Sequence, residues 1–311
     1  MSDEKVVQFA NFNITFGEDN IPMLEYFEDI IFPVFTGGYI RGKQDVLPRY
    51  SFSDVKIKCV EDEYILVGNY IKDTEYNVVT TVNHGALIPS PAQVPTAPYS
   101  RFIIFLKNHR MVLVKNEVKS PDIRSFQSTV RVILGQYIRI VNKGKFKSER
   151  LPSATVNIVD IPLQDSIDKV FQEITKIKWL KLRFFPLNND LNPLPLAEAM
   201  KEEMKNVKSK TGNLMFNSPE SKEGVKVVLN KTAGLACATM KVTDEKGEIK
   251  NIKENAFSSS KKIIYKGNID EKGDNFIIDF SKKDGVISNV SKDNQSLYER
   301  LKEKLKQLML K

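Results

Sequence analysis

Residues 101–126 read RFIIFLKNHRMVLVKNEVKSPDIRSF, two apolar runs around a short turn and then the signals that begin a helix. The two runs are rich in β-branched and aromatic residues, which predicts a β-hairpin turning at Asn108 and His109. A histidine stands where a two-residue turn prefers glycine, so we expect the turn to depart from the ideal form. The Ser-Pro-Asp sequence at 120–122 supplies an N-cap at Ser120, a proline at the first helical position and an early acidic residue, which predicts a helix to about Ile138.

Upstream of the hairpin, alternating apolar and polar residues predict an antiparallel β meander. VVQFANFNITF (6–16) reads as the first strand, and three further alternating runs follow Tyr39. Between them, IPMLEYFEDIIFPVF (21–35) has apolar residues at near-helical spacing until Pro33 interrupts it. The segment 88–99 is rich in proline, which has no backbone N–H for a helix or an inner strand, so we expect a surface loop there.

The sequence after residue 150 has a different order of elements. A strand (154–163), a helix (165–174), the strand KIKWLKLRFF (176–185) and the helix LAEAMKEEMKNV (196–207) follow one another. Such an order favours parallel pairing of the two strands through a right-handed crossover. We therefore expect a ferredoxin-like or split β-α-β arrangement.

Beyond Lys210 the pattern predicts short strands and then an amphipathic C-terminal helix, SLYERLKEKLKQLMLK (296–311). The predicted strands are GVKVVLN (224–230), LACATMKVTD (235–244), EIKNIKE (248–254), KKIIYKGNID (261–270) and NFIIDFS (275–281). The fold class that we predict is thus α+β.

The chain of 311 residues exceeds the usual size of a single core, and a basic segment ending at Pro152 marks a boundary. We predict two mixed domains. Residues 1–150 form an antiparallel β-rich α+β domain that carries the proline-rich loop. Residues 151–311 form a β-α-β-α domain with a β meander and the amphipathic C-terminal helix.

The cysteine content and the distribution of apolar residues indicate the cellular compartment that we expect for the protein. Cys59 and Cys237 are the only cysteines, and each lies in an apolar strand-like run where a buried free thiol is common, so we expect no disulfide framework. The first twenty residues contain acidic residues in place of a basic stretch, and no run of eighteen apolar residues occurs. We therefore expect a cytoplasmic protein without membrane association. The richness in Lys, Asn and Ile is typical of a prokaryote of low genomic GC content.

Histidine- and cysteine-based chemistry has few residues to use. His84, His109 and the two cysteines do not stand at metal-ligand spacing, and no nucleophile elbow is present. The glycine pairs of the sequence lack the spacing and the lysine of a phosphate-binding loop. We therefore expect no metal site of this kind, no cofactor and no catalytic residue drawn from these groups.

A metal-dependent nuclease built from carboxylates and lysine stays open as an alternative. One Glu-x-Lys element is Glu117 and Lys119, with Asp73 as an upstream carboxylate. The other is Glu248 and Lys250, with Asp244 before it. Such triples are frequent in a lysine-rich sequence, and a turn or strand end with alternating charge is usually a solvated edge.

Positive charge is concentrated in residues 101–150, which contain twelve basic and three acidic residues. The basic residues on and after the predicted helix are Arg124, Arg131, Arg139, Lys143, Lys145, Lys147 and Arg150. Because phosphates attract Lys and Arg, this region predicts a nucleic-acid surface, with a solvated linker as the alternative.

Basic residues also alternate with an aromatic residue in KIKWLKLRFF. A period of two places Trp179, Lys181 and Arg183 on one face of the strand, where an unstacked base and its phosphates would find partners. The alternative is that a helix covers this face and Trp179 lies in the core.

The C-terminal helix places Leu297, Leu301, Leu305 and Leu308 on one face. This stripe either packs against its own domain or pairs with a second copy to form a homodimer.

Three segments carry a resemblance to a known family. They are FIIFLKNHRMVLVKN before the helix SPDIRSFQ, WLKLRFFPLNNDLNP, and VLNKTAGLACATMKV. Their order resembles RexA-type phage-exclusion proteins and related bacterial families of unknown function. The resemblance implies a dimeric DNA-binding protein acting in phage exclusion or antiviral defence, and it assigns no role to any single residue. From the residues and the resemblance together we predict a non-enzymatic nucleic-acid-binding protein, with DNA as the expected ligand. The alternatives are a metal-dependent nuclease and a protein-interaction or assembly subunit.

Overall fold

The structure, a computed structural model, describes residues 4–190, 194–258, 261–283 and 290–310. These residues form a nine-stranded antiparallel sheet, a four-stranded antiparallel sheet and a two-stranded hairpin, with helices packed on the two larger sheets. The predicted α+β class is confirmed.

The strands follow one another in chain order. They are β1 (Glu4–Phe16), β2 (Ile21–Pro22), β3 (Arg49–Val60), β4 (Glu63–Asn77), β5 (Thr80–Asn83), β6 (Ala86–Pro89), β7 (Gln93–Thr96), β8 (Tyr99–Phe105), β9 (Arg110–Lys115), β10 (Ala154–Asp160), β11 (Ile174–Phe184), β12 (Gly212–Asn217), β13 (Cys237–Asp244), β14 (Ile249–Lys253) and β15 (Lys261–Ile264).

The helices are α1 (Phe32–Thr36), α2 (Ile123–Val141), α3 (Gln164–Gln172), α4 (Pro195–Asn206), α5 (Lys222–Thr232), α6 (Glu254–Phe257), α7 (Asp274–Lys283) and α8 (Lys292–Leu310). Shorter turns precede some of them. A 3₁₀ turn (Met23–Tyr26) and a π-helical turn (Phe27–Ile31) lead into α1, and Pro33 lies in the first turn of that helix, where its missing N–H removes no hydrogen bond.

The nine-stranded sheet has the strand order β10-β1-β9-β8-β4-β3, and β15, β2 and β7 pair at its margins. Both of its faces are covered, because β1 alternates between two cores. Phe12 and Ile14 point toward a core that contains α2 and α8, whereas Val7 and Phe9 pack against a second core that contains α7. A sheet buried on both faces explains the nearly continuous apolar runs in β8 and β9.

The four-stranded sheet has the order β12-β11-β13-β14, and helices α3 to α6 contribute to the core on one of its faces. Leu180, Leu182 and Met240 point into this core, where Leu229 of α5 and Phe257 of α6 meet them. The second sheet is therefore a one-sided sheet with helices on the buried face.

The two sheets do not coincide with residue ranges 1–150 and 151–311. β10 and β15 follow residue 150 in sequence, yet both pair with β1 in the nine-stranded sheet. The division into two domains at residue 150 stays a prediction.

The predicted parallel pairing of the strands around α3 is wrong. β10 pairs with β1, while β11 pairs with β12 and β13, and all of these ladders are antiparallel. The runs GVKVVLN and NFIIDFS, predicted as strands, lie within the helices α5 and α7. Short apolar runs do not distinguish a strand from a buried helix by periodicity alone, which is the reason for both errors.

Smaller features of the first half also differ from expectation. The N-cap of α2 is Asp122, whose side chain accepts a hydrogen bond from the Ser125 N–H, and not Ser120. The hairpin turn spans four residues because Phe105 pairs with Arg110, and His109 adopts a positive φ of 55°. The proline-rich segment is exposed as predicted, but it contributes to strands β6 and β7. Cys59 is exposed, contrary to the expected burial.

The leucine stripe of α8 packs against its own chain. The side chains of Leu297, Leu301, Leu305 and Leu308 are 2–6 % exposed and belong to the core shared with α2 and β1. Of the two alternatives for the stripe, the structure shows the first, in which helix α8 packs against its own chain. The same four side chains cannot at once form the surface of a homodimer.

Candidate nucleic-acid interface

Strand β11 alternates between a buried and an accessible face. Leu180, Leu182 and Phe184 are buried beneath the helices, and Trp179, Lys181 and Arg183 lie on the opposite face of the strand. This is the period of two that a pleated strand imposes. Trp179 is partly exposed, and it does not lie in the core, which was the alternative interpretation.

The register of the neighbouring strands builds the rest of this face, because directly paired residues point to the same side of a sheet. Trp179 lies between Asn217 of β12 and Lys241 of β13. Lys181 lies between Met215 and Thr239, and Thr239 pairs in turn with Lys253 of β14. Arg183 lies between Asn213 and Cys237, and Lys176 pairs with Thr243.

We call the basic and aromatic residues of this face the sheet patch. Its members are Lys176, Trp179, Lys181, Arg183, Lys241 and Lys253. None of the residues paired with them on this face is acidic. Among the residues that the structure describes, no carboxylate lies within ion-pair distance of the five cations.

The free cations of the sheet patch differ from other lysines on the surface. Lys226 is held by Asp168 at 2.9 Å, and Lys107 is held by Glu63 at 2.7 Å. A cation whose charge is already neutralised has little attraction left for phosphate. The sheet patch therefore offers unneutralised positive charge beside an aromatic side chain and the exposed thioether of Met215.

One end of the sheet patch is tied to Cys237. The Arg183 Nη2 donates a hydrogen bond of 3.4 Å to the Cys237 Sγ. Burial raises the pKa of the Cys237 thiol, and the Arg183 guanidinium opposes this rise. The thiol is thus neutral at physiological pH and leaves the charge of Arg183 available.

The same end meets the start of α2 through a junction of polar residues. Arg124 Nη2 donates a hydrogen bond of 3.2 Å to Asn255 Oδ1, and Asn255 belongs to α6 directly after β14. Burial raises the pKa of the Asp160 carboxyl to about 7, and the charges of Glu254 and Asp122 contribute to this rise. Positive charge at Arg124 is therefore adjoined by carboxylates, and the charges of Glu254 and Asp160 also act on the Cys237 thiol at the Arg183 end of the sheet patch.

The other arginines of α2 are spread along the helix. Arg131 Nη2 donates to the Val156 carbonyl at 3.1 Å, and Arg139 is exposed in the last turn. A helix of 19 residues is about 28 Å long at 1.5 Å per residue. Arg124 and Arg139 are therefore about 22 Å apart along the helix axis.

A second basic surface follows the C-terminal end of α2. We call it the helix-end patch, and its members are Arg139, Lys143, Lys145, Lys147 and Arg150. A shallow groove is lined by Arg139, Lys143 and Arg150 with the backbone turn at Gly144, and the Phe146 side chain beside it is 78 % exposed. Arg150 Nε donates to the Lys145 carbonyl at 3.0 Å, which holds the segment folded on itself.

The structure brings together only part of the predicted set. Trp179, Lys181 and Arg183 form one surface, and the five members of the helix-end patch form another. Arg124 and Arg131 precede both patches in sequence, and they contact Asn255 of α6 and Val156 of β10, respectively. Sequence reasoning missed Lys176, Lys241 and Lys253. The alternation of LACATMKVTD and EIKNIKE contained a signal for the last two, but their place beside Trp179 depends on register.

The two Glu-x-Lys elements of the nuclease alternative lie at turns. Lys250 forms ion pairs with Asp244 and Glu248, and Asp244 Oδ1 accepts hydrogen bonds from the backbone N–H groups of residues 246 and 248. The Lys119 ammonium lies 4.3 Å from the centre of the Tyr76 ring, and Asp73 pairs with Arg49. Over the described ranges, no group of three or more His, Cys, Asp or Glu side chains is arranged to hold a metal ion.

The two histidines lie apart from the basic surfaces. Burial lowers the pKa of His109 to about 3, so its ring is neutral in the folded protein. His84 stands in the exposed turn between β5 and β6.

No protein-family model matches the chain, and no curated protein is significantly similar to it. Within the described part of the chain, none of the helices has both the length and the apolar character needed to cross a bilayer.

Proposed function

We propose that the protein binds nucleic acid and that the sheet patch is its principal contact surface. The observation that supports the proposal is the register of β11 to β14, which gathers five cations without carboxylate partners around Trp179. Lys and Arg side chains that neutralise phosphates release condensed counterions, and aromatic faces stack on bases. The two kinds of contact that such a ligand needs are thus present on one accessible face.

The helix-end patch is proposed as a second contact. It contributes positive charge and an exposed phenylalanine, but its lysines lie in the turns beyond the end of α2 and not on a regular sheet. We expect it to strengthen binding through phosphates without determining the position of the ligand. Arg124 and Arg131 are expected to contribute less, since one donates to Asn255 and the other to a backbone carbonyl.

DNA is the proposed nucleic acid, and the role is proposed to be binding without catalysis. The likeness to RexA-type proteins adds phage exclusion or defence, in the cytoplasm of a bacterium, as the proposed setting. A homodimer, also implied by that likeness, would need a surface other than the leucine stripe. No arrangement of the Glu-x-Lys elements favours nuclease chemistry over a turn held by ion pairs.

The experiment is a measurement of DNA affinity at several salt concentrations. The first variant combines Lys181→Glu, Arg183→Glu and Lys241→Glu, and the second combines Lys143→Glu, Lys145→Glu and Lys147→Glu. With Z phosphates neutralised, log K falls with log salt by about 0.7Z for single strands, so losing three contacts lowers the slope by about 2. We expect the first variant to lose most of its affinity for DNA, and the slope of log K against log salt to become shallower by about 2.

A control variant changes a cation that is remote from the patch. Lys201 on α4 is exposed and has Glu198 3.6 Å away, so Lys201→Glu alters net charge with no loss of a proposed contact. An absence of DNA binding by the wild-type protein at low salt contradicts the proposal. So does equal weakening by the control and by a single patch substitution such as Lys181→Glu.

A further inference from the structure

The four-stranded sheet that carries the sheet patch is too wide to enter a groove of an undistorted DNA duplex. Neighbouring strands are about 4.8 Å apart, so the axes of β12 and β14 are about 14 Å apart. The major groove of B-DNA is about 12 Å wide and admits one helix or a two-stranded ribbon. A four-stranded face that carries long side chains can therefore touch only the outer surface of a duplex.

The place of Trp179 on this face favours an unpaired base. The residue lies on β11, an inner strand of the sheet, between Asn217 and Lys241, and it is partly exposed. Among the described residues, no second aromatic ring and no cation stacks against it. A base can stack on such a ring only when it has left its own stack, which single strands permit at little cost.

Two lysines lie close enough to Trp179 to contact the phosphates on either side of a base stacked on its ring. Lys181 is two positions along β11 from Trp179 on the same face, which corresponds to about 6.7 Å, and Lys241 is directly across at about 5 Å. Met215, beside Lys181, is 48 % exposed and adds apolar contact for a sugar or a base. A side chain that can stack on a base and two side chains that can neutralise phosphates thus lie within about 7 Å of one another along and across the strands.

From this geometry we infer that the ligand of the sheet patch is single-stranded DNA, with one unpaired base stacked on the Trp179 indole and its flanking phosphates bound by Lys181 and Lys241. The inference rests on the proposed function and specifies its ligand. It assigns Trp179 as a contact residue, while the lysines supply the salt-dependent part of the affinity.

The chain contains one tryptophan, so intrinsic fluorescence reports on this residue alone. The full-length protein is titrated with an oligothymidylate of about 12 nucleotides, a length within the range that single-strand sites cover, and with the same strand annealed to its complement. We expect the single strand to quench the tryptophan emission and to bind at least about tenfold more tightly than the duplex at equal salt, the difference that one stacked base supplies.

Variants separate stacking from charge. Trp179→Ala should weaken single-strand binding about tenfold or more with an unchanged salt slope, whereas Trp179→Phe should retain most of the affinity. Lys181→Gln should lower the salt slope by about 0.7, and Lys201→Gln should leave it unchanged. Circular dichroism of each variant shows whether it is folded before binding is compared.

The possible results distinguish the two proposals. Equal affinity for single strand and duplex, or an unchanged tryptophan emission at saturation, overturns the single-strand inference but leaves nucleic-acid binding standing. A Trp179→Ala variant that is folded and binds as tightly as wild type also overturns it. If neither DNA form binds at low salt, both proposals are wrong.

Discussion

The guanidinium of Arg101, on strand β8, and the carboxylate of Asp274, on helix α7, form a bidentate ion pair. Its two hydrogen bonds are 2.8 Å each. The side chains are 2 % and 0 % exposed. Lys58 donates a third hydrogen bond to the carboxylate at 2.6 Å, and Asn69 accepts one from Arg101 at 3.0 Å. Asp274 is the first residue of α7, so the pair fixes the start of this helix against the sheet.

The variant Asp274→Ala should lower the free energy of unfolding by about 3–5 kcal/mol, because it leaves the Arg101 charge buried without a partner. Urea denaturation measures the loss. The matched control is Asp62→Asn, which removes an exposed charged partner of Lys302, keeps a residue type that tolerates the positive φ of 65° at this position, and should change stability little. An equal, small effect of both variants would contradict the assignment of the Arg101 pair as a buried anchor.

The Asp160 carboxyl should contribute a stability that decreases as the pH rises from about 4 to about 7. Burial raises the pKa of Asp160 to about 7 from its ordinary value of 3.8, so the folded protein keeps this proton over a range in which the unfolded chain has lost it. The contribution is at most about 4 kcal/mol, at 1.36 kcal/mol per pKa unit.

The variant Asp160→Asn should lose this contribution, so its free energy of unfolding at pH 8, relative to that at pH 5, should be higher than in the wild type. Urea denaturation at the two pH values measures this difference. His109, whose pKa burial lowers to about 3, makes stability rise with pH in both proteins and cancels in the comparison. Burial also raises the pKa of Asp190, to about 6, so part of the slope will remain in the variant. An unchanged slope in Asp160→Asn would show that this carboxyl does not titrate as described.

Two glycines should respond to alanine with opposite signs. A Cβ at Gly68 in β4 would lie 2.8 Å from the Phe102 ring and from a methyl group of Val55, so Gly68→Ala should destabilise the protein by about 1–3 kcal/mol. A Cβ at Gly135 in α2 meets nothing within 4 Å, and Gly135→Ala should stabilise the protein by about 0.5–1 kcal/mol. Thermal denaturation of both variants measures the two effects, and a shift of the same sign in both would contradict the prediction.

The leucine stripe should contribute to stability and not to assembly. Leu305 is 2 % exposed, so Leu305→Ala should cost about 2–5 kcal/mol, whereas Leu310→Ala at a residue that is 75 % exposed should cost little. Light scattering on folded Leu305→Ala should give the mass of the wild type. A fall in mass would show that the stripe holds two copies together.

The hairpin of β5 and β6 should be dispensable for folding. Its residues are exposed, and residues 76–100 contain no Asp, Glu, Lys or Arg. The Val78 N–H donates to the Ala92 carbonyl at 2.9 Å, so replacing residues 79–91 with Asn-Gly closes a two-residue hairpin at an existing hydrogen-bonded pair. We expect the free energy of unfolding to change by less than about 1 kcal/mol, and a loss of cooperative unfolding would show that the hairpin packs on the fold.

Local pattern predicted those elements whose periodicity is strong and whose ends carry capping residues. The hairpin of β8 and β9 and the helix α2 are examples, because alternation ends at a turn and Asp122 caps the helix. Helix α5 was missed although Val225 and Leu229 are four apart and both are buried. Its run of valines resembles a strand. From the sequence alone, Ser221 does not identify itself as the N-cap, and the hydrogen bond from the Gly224 N–H to its side chain is seen only in the structure.

The candidate site was predictable only along one strand. Alternation within KIKWLKLRFF is local and correctly groups Trp179 with Lys181 and Arg183. The neighbours Lys241 and Lys253 come from strands more than fifty residues later, and their position depends on which strands pair and in which register. Register is determined by packing of the buried faces of β11 to β14 against four helices, and no single segment contains that information.

The position of β1 inside the large sheet has a consequence for biosynthesis. One edge of this strand is completed by β10 and β15, and β10 begins at residue 154. At 5–20 residues per second, a ribosome needs roughly 7–30 s after making β1 before β10 is available, and longer for β15. During this time the nascent chain displays an apolar strand with an unpaired edge, which is a template for aggregation. The yield of folded protein should therefore depend on translation speed and on chaperones that shield this strand.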